Sequence, residues 1–486
     1  MLWTDLREFL DRLDARGELR KVAGATWQED IGALTELMTE RRGPALLFDD
    51  VPGYASGYRV ASNLYTSARR TAIALGLEGE PRDMAQEWRR RMRDMKPVPW
   101  QEMACGAVLE NVQTGNDVDV AKFPVPKWHE NDGGRYIGTG VCVINRDPDT
   151  GFVNAGAYRV SIADAHTCAA FIEHGKHGYR IAQKHWQAGR KCPIVISVGQ
   201  EPVLTALAGS SIYHAPEGVS ELEVAGYIHG SPYPVVCGQV TGLPIPANGE
   251  IALEGFLVSP AERLIPEGPF GEWTGYYAHG RRPELVVEIA AVYHRDNPII
   301  FGQPPTRPVG GYYNPNLGND DIEWQERLER SGVGGIQRIY FLARPNMRVV
   351  ALRQQHEGHV AEVIQALSPG GSQYSGHHIW VLVDDDVDVE NVHEVMWAIA
   401  SRCAPEHGVA VIPGNAVWQL DPRIPPEDRS LPGTEGRQSY TAHNLVINAC
   451  RPYRWLSDFP PVAVNSPALR EATLRKWPHL FNQKGA

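Results

Sequence analysis

Pro266-Glu267-Gly268-Pro269-Phe270-Gly271-Glu272 sets two carboxylates five residues apart on a turn stiffened by proline. Its glycines permit positive φ and close backbone approach. Alone, such a turn reads as a surface feature with two solvated acids. Pro269 and Phe270 favour burial instead. A buried acid pair beside a cation suits proton transfer, because burial raises one pKa while the cation keeps the other carboxylate charged.

Around this turn, short β-rich runs recur at 139–145, 153–162, 193–198, 235–240, 251–258, 284–293 and 299–303, punctuated by Gly, Pro and Asn. The spacing predicts a mostly antiparallel sheet or a small barrel, not regular βαβ winding. Helices are expected to interrupt it at 163–174 and 178–189. Upstream, Leu6, Phe9, Leu10 and Leu13 fall at helical spacing over 3–16, with Thr4 as cap and Gly17 as stop. A strand at 19–22, a helix at 31–41, a buried strand at 44–49 and a basic, Met-rich surface helix at 83–96 follow. Downstream, 304–319 reads as a loop and 320–331 as a linking helix. Strands at 336–341, 348–352, 379–383 and 408–412 then alternate with helices at 359–367 and 390–403, the pattern of an α/β domain. Residues 413–450 read as largely loop, and 467–476 as a terminal helix.

The chain has 486 residues, too many for one ordinary core; 43% are hydrophobic and 22% charged, as in soluble globular proteins. A net charge of −11 argues against a nucleic-acid surface but leaves room for a local basic pocket. No apolar run approaches the ~20 residues of a membrane helix. Met1-Leu2-Trp3-Thr4-Asp5 lacks the basic and apolar regions of a signal peptide, so a cytoplasmic address is expected. The seven cysteines are scattered without a C-x-x-C, which fits reduced thiols.

Four further clusters could carry chemistry. In Asn154-Ala155-Gly156-Ala157-Tyr158-Arg159, strand alternation puts Asn154, Gly156 and Tyr158 on one face and Arg159 on the other. One shared site then needs a bulge at Gly156; a plain strand with an edge arginine is the other reading. His177 of His174-Gly-Lys-His177 stands before a helix as cap or ligand. Ser210 and Ser211 precede Glu221, which opens a helix whose Ser220 and Glu223 form a capping box. Asn, His and Glu together would make a hard, mainly oxygen site suited to Mn²⁺ or Mg²⁺. Asp384-Asp-Asp-Val-Asp388 matches D-D-x-x-D, which binds diphosphate through magnesium in prenyl-transferring enzymes. It also reads as a strand-to-helix turn whose acids favour the following helix N-terminus. The chain has no G-x-x-x-x-G-K-[ST], G-x-S-x-G or H-E-x-x-H, and no well-formed G-x-G-x-x-G between strand and helix.

Taken in order, these pieces resemble the UbiD-type decarboxylases, which use prenylated FMN. Phe123-Pro-Val-Pro126, Asp132-Gly-Gly-Arg-Tyr136, the 246–255 stretch and Met396-Trp-Ala-Ile-Ala-Ser-Arg402 share the likeness, which runs from the first helix to about residue 412. The resemblance implies a mixed α+β and α/β fold: an N-terminal domain (1–303) with a split β-barrel flavin-binding core, a loop and linker helix (304–332), and a C-terminal α/β domain (333–486). It implies reversible, non-oxidative decarboxylation of an α,β-unsaturated or aromatic acid through a covalent adduct with the cofactor. Glu267, Arg159 and Glu272 match the family's catalytic network, with Glu272 as proton donor. Asn154, His177 and Glu221 match the ligands of a Mn²⁺ (or Mg²⁺) that holds the cofactor phosphate, with K⁺ nearby. Ala155, Gly156, Ala157, Lys176, Ser210 and Ser211 fall on cofactor-lining segments. A flavin prenyltransferase would supply the cofactor, and a homodimer or higher homo-oligomer is implied, with no nucleic-acid or membrane partner. A phosphate-contacting lysine of some relatives is missing; Ser372, Gln373, His377 and His378 stand in that region, and Lys176 is the candidate replacement. Tyr312, Tyr313 and Trp418 are candidate pocket aromatics. The competing readings are a conventional flavin oxidoreductase on a related barrel, a magnesium-dependent diphosphate enzyme using Asp384–Asp388, and a non-catalytic assembly protein.

Overall fold

A computed structural model describes residues 2–77, 81–209, 218–307, 319–343, 346–367, 378–416, 420–425 and 441–480. Helix α1 (Leu6–Ala15) buries Leu6, Phe9, Leu10 and Leu13, as their spacing predicts. Its cap is Asp5 rather than Thr4: the Asp5 carboxylate accepts from Glu8 N–H at 2.9 Å, and Thr4 N–H donates back to Glu8. Strand β1 (Leu19–Ala23), helix α2 (Asp30–Glu40), β2 (Ala45–Asp49) and β3 (Arg59–Ser62) follow. These strands form a four-stranded sheet with Ile299–Gly302. Helix α3 (Pro81–Arg93) is not a free surface helix. Met84, Trp88 and Met92, one turn apart, are buried in the N-terminal core, so the Met-rich stripe is its inward face.

The central feature is a ten-stranded antiparallel sheet. Its main path joins β4 (Arg135–Gly138), β5 (Cys142–Arg146), β6 (Val153–Gly156), β7 (Arg159–Ile162), β8 (Thr167–Phe171), β9 (Cys192–Val198), β10 (Ile251–Leu257) and β12 (Arg282–His294) in the order β4-β7-β8-β12-β10-β9-β5-β6. β11 (Leu264–Glu267) and Asn111–Thr114 pair with the long β12 off this path. β6 and β7 are neighbours in sequence but six places apart in the sheet. Laid flat, six strand spacings would separate them by about 29 Å. Ala157 and Tyr158, the two residues between them, let the chain span about 11 Å at most. The sheet must therefore curl, and it forms a half-barrel around a core of Val, Ile and aromatic side chains.

Two expectations fail here. The 153–162 run is two strands, broken at Ala157–Tyr158, with no bulge at Gly156. The helix expected at 163–174 is strand β8: alanine-rich sequence there gives way to antiparallel pairing with β7 on one side and β12 on the other. The helix expected at 178–189 is α4 (His177–Gln187), and α5 (Glu221–His229) carries the foreseen capping box.

Helix α6 (Asn319–Arg330) leads to a second sheet, of β13 (Ile336–Ala343), β14 (Met347–Leu352), β15 (Ile379–Asp384), β16 (Val409–Ala416) and β17 (Thr441–Ala449), ordered β13-β14-β15-β17-β16. Hydrophobic clusters cover its two faces, with α7 (His359–Ala366) on one and α8 (Val392–Arg402) on the other. The expectation of loop over 413–450 is wrong at β17, which lies inside this sheet, parallel to β15. Its polar residues hide it: Asn444 is buried, and its side chain accepts from the His378 N–H at 3.1 Å. Helix α9 (Pro467–Lys476) follows as expected, but residues 460–480 are exposed throughout. No helix among the described residues is long and apolar enough to cross a membrane.

Candidate active site

The acidic turn closes a loop between two paired strands. Glu267 ends β11 directly opposite Arg282, which begins β12. Asp132 and Gly133 hold the loop from behind. Gly271 N–H donates to the Asp132 carboxylate at 3.2 Å, and Gly133 N–H donates to the Pro269 carbonyl at 2.7 Å. A Cβ on Gly133 would lie 1.9 Å from the Gly268 carbonyl oxygen, so only glycine allows this approach. Gly268 has φ +87°, and the Gly268–Pro269 peptide is cis. Phe270 packs on Tyr136 at 4.2 Å between ring centroids. The turn is thus anchored and buried, not a solvated loop.

Arg159, first residue of β7, reaches both acids. Its Nη2 donates to Glu267 Oε2 at 2.8 Å, and its Nη1 pairs with Glu272 Oε1. Glu267 is 5% and Glu272 6% exposed. Phe171 and Phe270 flank the guanidinium, 4.7 and 5.2 Å from its carbon to the ring centroids. Burial pushes the Glu272 carboxyl up, against the pull of Arg159. Burial opposes the Arg159 charge, but Glu272 and Glu267 outweigh it and hold the guanidinium charged. The opposed-face difficulty disappears because Asn154 and Arg159 belong to different strands on opposite sides of the curl.

Hydrogen bonds around β6 engage Asn154, Glu221 and Gly178, the residue after His177. Ala155 N–H donates to Glu221 Oε2 at 2.9 Å. Asn154 donates to Asn145 at 3.2 Å, and Asn145 donates to the Gly178 carbonyl at 2.9 Å. Gly178 N–H donates to the Tyr158 hydroxyl at 3.1 Å. His177 and Glu221 are the first residues of α4 and α5, so two helix N-termini converge on this strand. That arrangement favours anions. Ala157 N–H is tied to the Ala208 carbonyl at 2.8 Å, and Lys176 occupies the N-cap position of α4 with an exposed side chain that makes no capping hydrogen bond. Burial raises the Glu221 carboxyl to about 7, only partly offset by backbone N–H groups, its own and that of Ala155. A carboxyl whose charge is opposed by burial suits a metal ion, which would stabilise that charge. The amide, imidazole and carboxylate set fits Mn²⁺ or Mg²⁺. Among the described residues no three His, Cys, Asp or Glu side chains form a metal cage, so this set depends on its amide. Ser210, Ser211, Tyr312, Tyr313, Ser372, Gln373, His377 and Trp418 lie outside the described residues. His378 sits in the C-terminal core against Arg348.

The Asp-rich run is engaged elsewhere. Asp384 accepts from Arg451 Nε at 3.0 Å and Gln354 at 2.7 Å, Asp385 pairs with Arg353 at 2.7 Å, and Asp386 is gripped by both Nη atoms of Arg402 at 2.9 Å. Arginines already neutralise these acids, which removes the basis for a magnesium–diphosphate site there. Sequence reading missed Arg282 and Glu284, buried beside Glu267. Charged residues at a strand start read as a solvated edge, and only the β11–β12 register reveals them.

Protein-family models describing the N-terminal, Rift-related and C-terminal domains of 3-octaprenyl-4-hydroxybenzoate carboxy-lyase match residues 10–92, 101–308 and 326–449. The chain belongs to the UbiD family. Like other members it is a carboxy-lyase. This UbiD chain is 32% identical to a phenolic acid decarboxylase of a Streptomyces species, over 88% of this chain and 90% of that one. It is 29% identical to the pyrrole-2-carboxylic acid decarboxylase of Pseudomonas aeruginosa, over 97% of each. An evolved dimeric form of the UbiD-class enzyme HmfF from Pelotomaculum thermopropionicum, in complex with prFMN, shares the fold with a TM-score of 0.77 at 24% identity, covering 98% of this chain and all of that one.

Proposed function

We propose that this UbiD-family enzyme decarboxylates a small aromatic, heteroaromatic or α,β-unsaturated acid with prenylated FMN. The observation that carries the reading is Arg159 bridging two buried glutamates, across the curl from a metal- and phosphate-suited cluster. The bound flavin supplies the electron sink that no side chain offers when CO₂ leaves an sp² carbon. Asn154, His177 and Glu221 would hold Mn²⁺ or Mg²⁺ against its phosphate, with K⁺ nearby and Ala155, Gly156 and Ala157 alongside. Arg159 fixes both carboxyls. Glu272, whose carboxyl burial pushes up, delivers the proton that replaces CO₂ on carbon, and Glu267 pairs with Arg159. The net change is loss of CO₂ and gain of one proton at the same carbon. The proposed division of the chain is 1–303 for cofactor and catalysis, 304–332 as linker and 333–486 as the α/β domain. Substrate class follows the phenolic and pyrrole acids of the relatives. Co-production with a flavin prenyltransferase, then screening of acids for CO₂ release, tests this reading; no release from any aryl or enoic acid by flavin-loaded protein would reject it.

Lys176 stands at the N-terminus of α4, whose first turn holds no acid. In this reading it supplies the phosphate charge that a lysine nearer the Asp-rich run supplies in some relatives. Lys176→Ala is expected to lower flavin content at least threefold by absorbance per protein; full content would remove Lys176 from the site.

A homo-oligomer fits the exposed C-terminal arm. Val464 is 67%, Leu469 54% and Leu480 61% exposed, apolar surface that a second copy would cover. Deleting residues 460–486 is expected to reduce the mass found by light scattering. An unchanged assembly would exclude the arm from the interface.

A further inference from the structure

Arg282 and Glu284 form a second buried pair beside the first. Their side chains leave the same face of β12, and Arg282 Nε donates to Glu284 Oε1 at 2.5 Å. Glu284 is 1% and Arg282 8% exposed. Arg282 faces Glu267 across the β11–β12 ladder, where directly opposed Cβ atoms stand about 4.5–5.5 Å apart. Arg282 and Arg159 also share one aromatic ring: their guanidinium carbons lie 4.9 and 4.7 Å from the Phe171 centroid. Arg282 Nη1 is buried without a hydrogen-bond partner. The two ion pairs are therefore one electrostatic unit.

Three buried carboxyls, Glu267, Glu272 and Glu284, face two guanidiniums. Full ionisation leaves one negative charge uncompensated among buried side chains, which one bound proton removes. Other titratable groups around the unit are Glu173, raised by burial against the pull of Lys176, Asp132, which accepts from Gly271 N–H, and the Tyr136 phenol, raised by burial and by Glu267. We propose that Arg282 and Glu284 are positioning residues that set the proton inventory of the Glu267–Arg159–Glu272 network, so that its acid stays protonated at neutral pH. Burial raises the Glu284 carboxyl to about 7 against the pull of Arg282, so its own charge also turns over in the working range. When Glu284 is charged it cancels Arg282. Without it, Arg282 acts on Glu267 and Glu272 as an extra cation and strips their proton.

The inference rests on the proposed role of Glu272, and its test separates the two. Glu284→Gln in flavin-loaded enzyme is expected to move the alkaline limb of the kcat–pH profile down by about one pH unit, the size of an uncompensated charge at this range. Arg282→Gln moves it up. The double variant Arg282→Gln/Glu284→Gln, which leaves neither charge, returns it towards wild type. A purely structural role would make the double variant worse than either single one. An unmoved limb in Glu284→Gln together with an unmoved protonated-carboxyl band in the titration below, or a moved limb that does not return in the double variant, overturns the inference. Should Glu284→Gln not fold, the comparison of Arg282→Gln with the double variant decides alone. The second measurement needs no cofactor: infrared titration of the protonated-carboxyl band that Glu272→Gln removes from apoprotein. A downward shift of that band in Glu284→Gln without a shift of the activity limb upholds the inference and overturns Glu272 as proton donor; no shift of the band overturns the inference.

Discussion

Glu272→Gln is expected to lower kcat at least a thousandfold while flavin and metal content stay unchanged. The amide oxygen of glutamine can still accept from Arg159 Nη1, and the side chain keeps its volume in a site only 6% exposed. Packing and cofactor seat therefore survive. The lost property is a proton that can leave. A positioned acid contributes roughly 10²–10⁴ in rate. Proton delivery to carbon sits at the upper end here, because the burial that raises the Glu272 carboxyl also keeps solvent from acting in its place. The raised pKa fixes the pH dependence. The acid form persists to higher pH than a free glutamate would allow, and activity declines as pH rises through the folded-state value. Single-turnover CO₂ release at measured flavin occupancy checks the prediction. Wild-type turnover by a fully loaded Glu272→Gln enzyme sinks the donor assignment.

Much of this site was legible because its residues are close in sequence or carry turn chemistry. The Pro-Glu-Gly-Pro-Phe-Gly-Glu turn announces itself, and the capping box fixes where Glu221 enters its helix. The β-rich punctuation of 137–300 was enough to expect a mostly antiparallel sheet or a small barrel. What sequence could not give was which strands end up adjacent. Asn154 and Arg159 seemed to face opposite ways because a continuous strand was assumed. The two-residue step at Ala157–Tyr158 across the curl removes that conflict, and no local periodicity encodes it. A helix was expected over 163–174, yet pairing on both edges decided for a strand at Thr167–Phe171. Asn444 disguised an interior strand for the opposite reason, a polar residue satisfied by His378, far away in sequence. Arg282 and Glu284 stayed hidden because their meaning depends on the residue across the ladder, not beside them in the chain.

Arg159→Ala is expected to cost the folded protein about 3–5 kcal/mol near pH 7.5, as well as its activity. Removing one partner of a buried ion pair leaves charge that neither water nor protein compensates. Here the loss falls on two carboxyls at once, Glu267 and Glu272, and Arg282 already has Glu284 as its partner. The burden is relieved by protonation, which gives the prediction its sign. Glu272 has a folded-state pKa above its unfolded value of about 4.3, and losing Arg159 raises it further. A carboxyl raised in the folded state opposes folding above its unfolded pKa, and the penalty grows until pH passes the folded value. The variant should therefore lose stability as pH rises from 5.5 to 7.5, more steeply than wild type. Lost packing of the arginine against Phe171 and Phe270 would instead cost the same at both pH values. Urea unfolding of both proteins at the two pH values separates these accounts. An equal gap at pH 5.5 and 7.5 would mean that Arg159 contributes by filling space, and that the glutamates beside it do not need its charge.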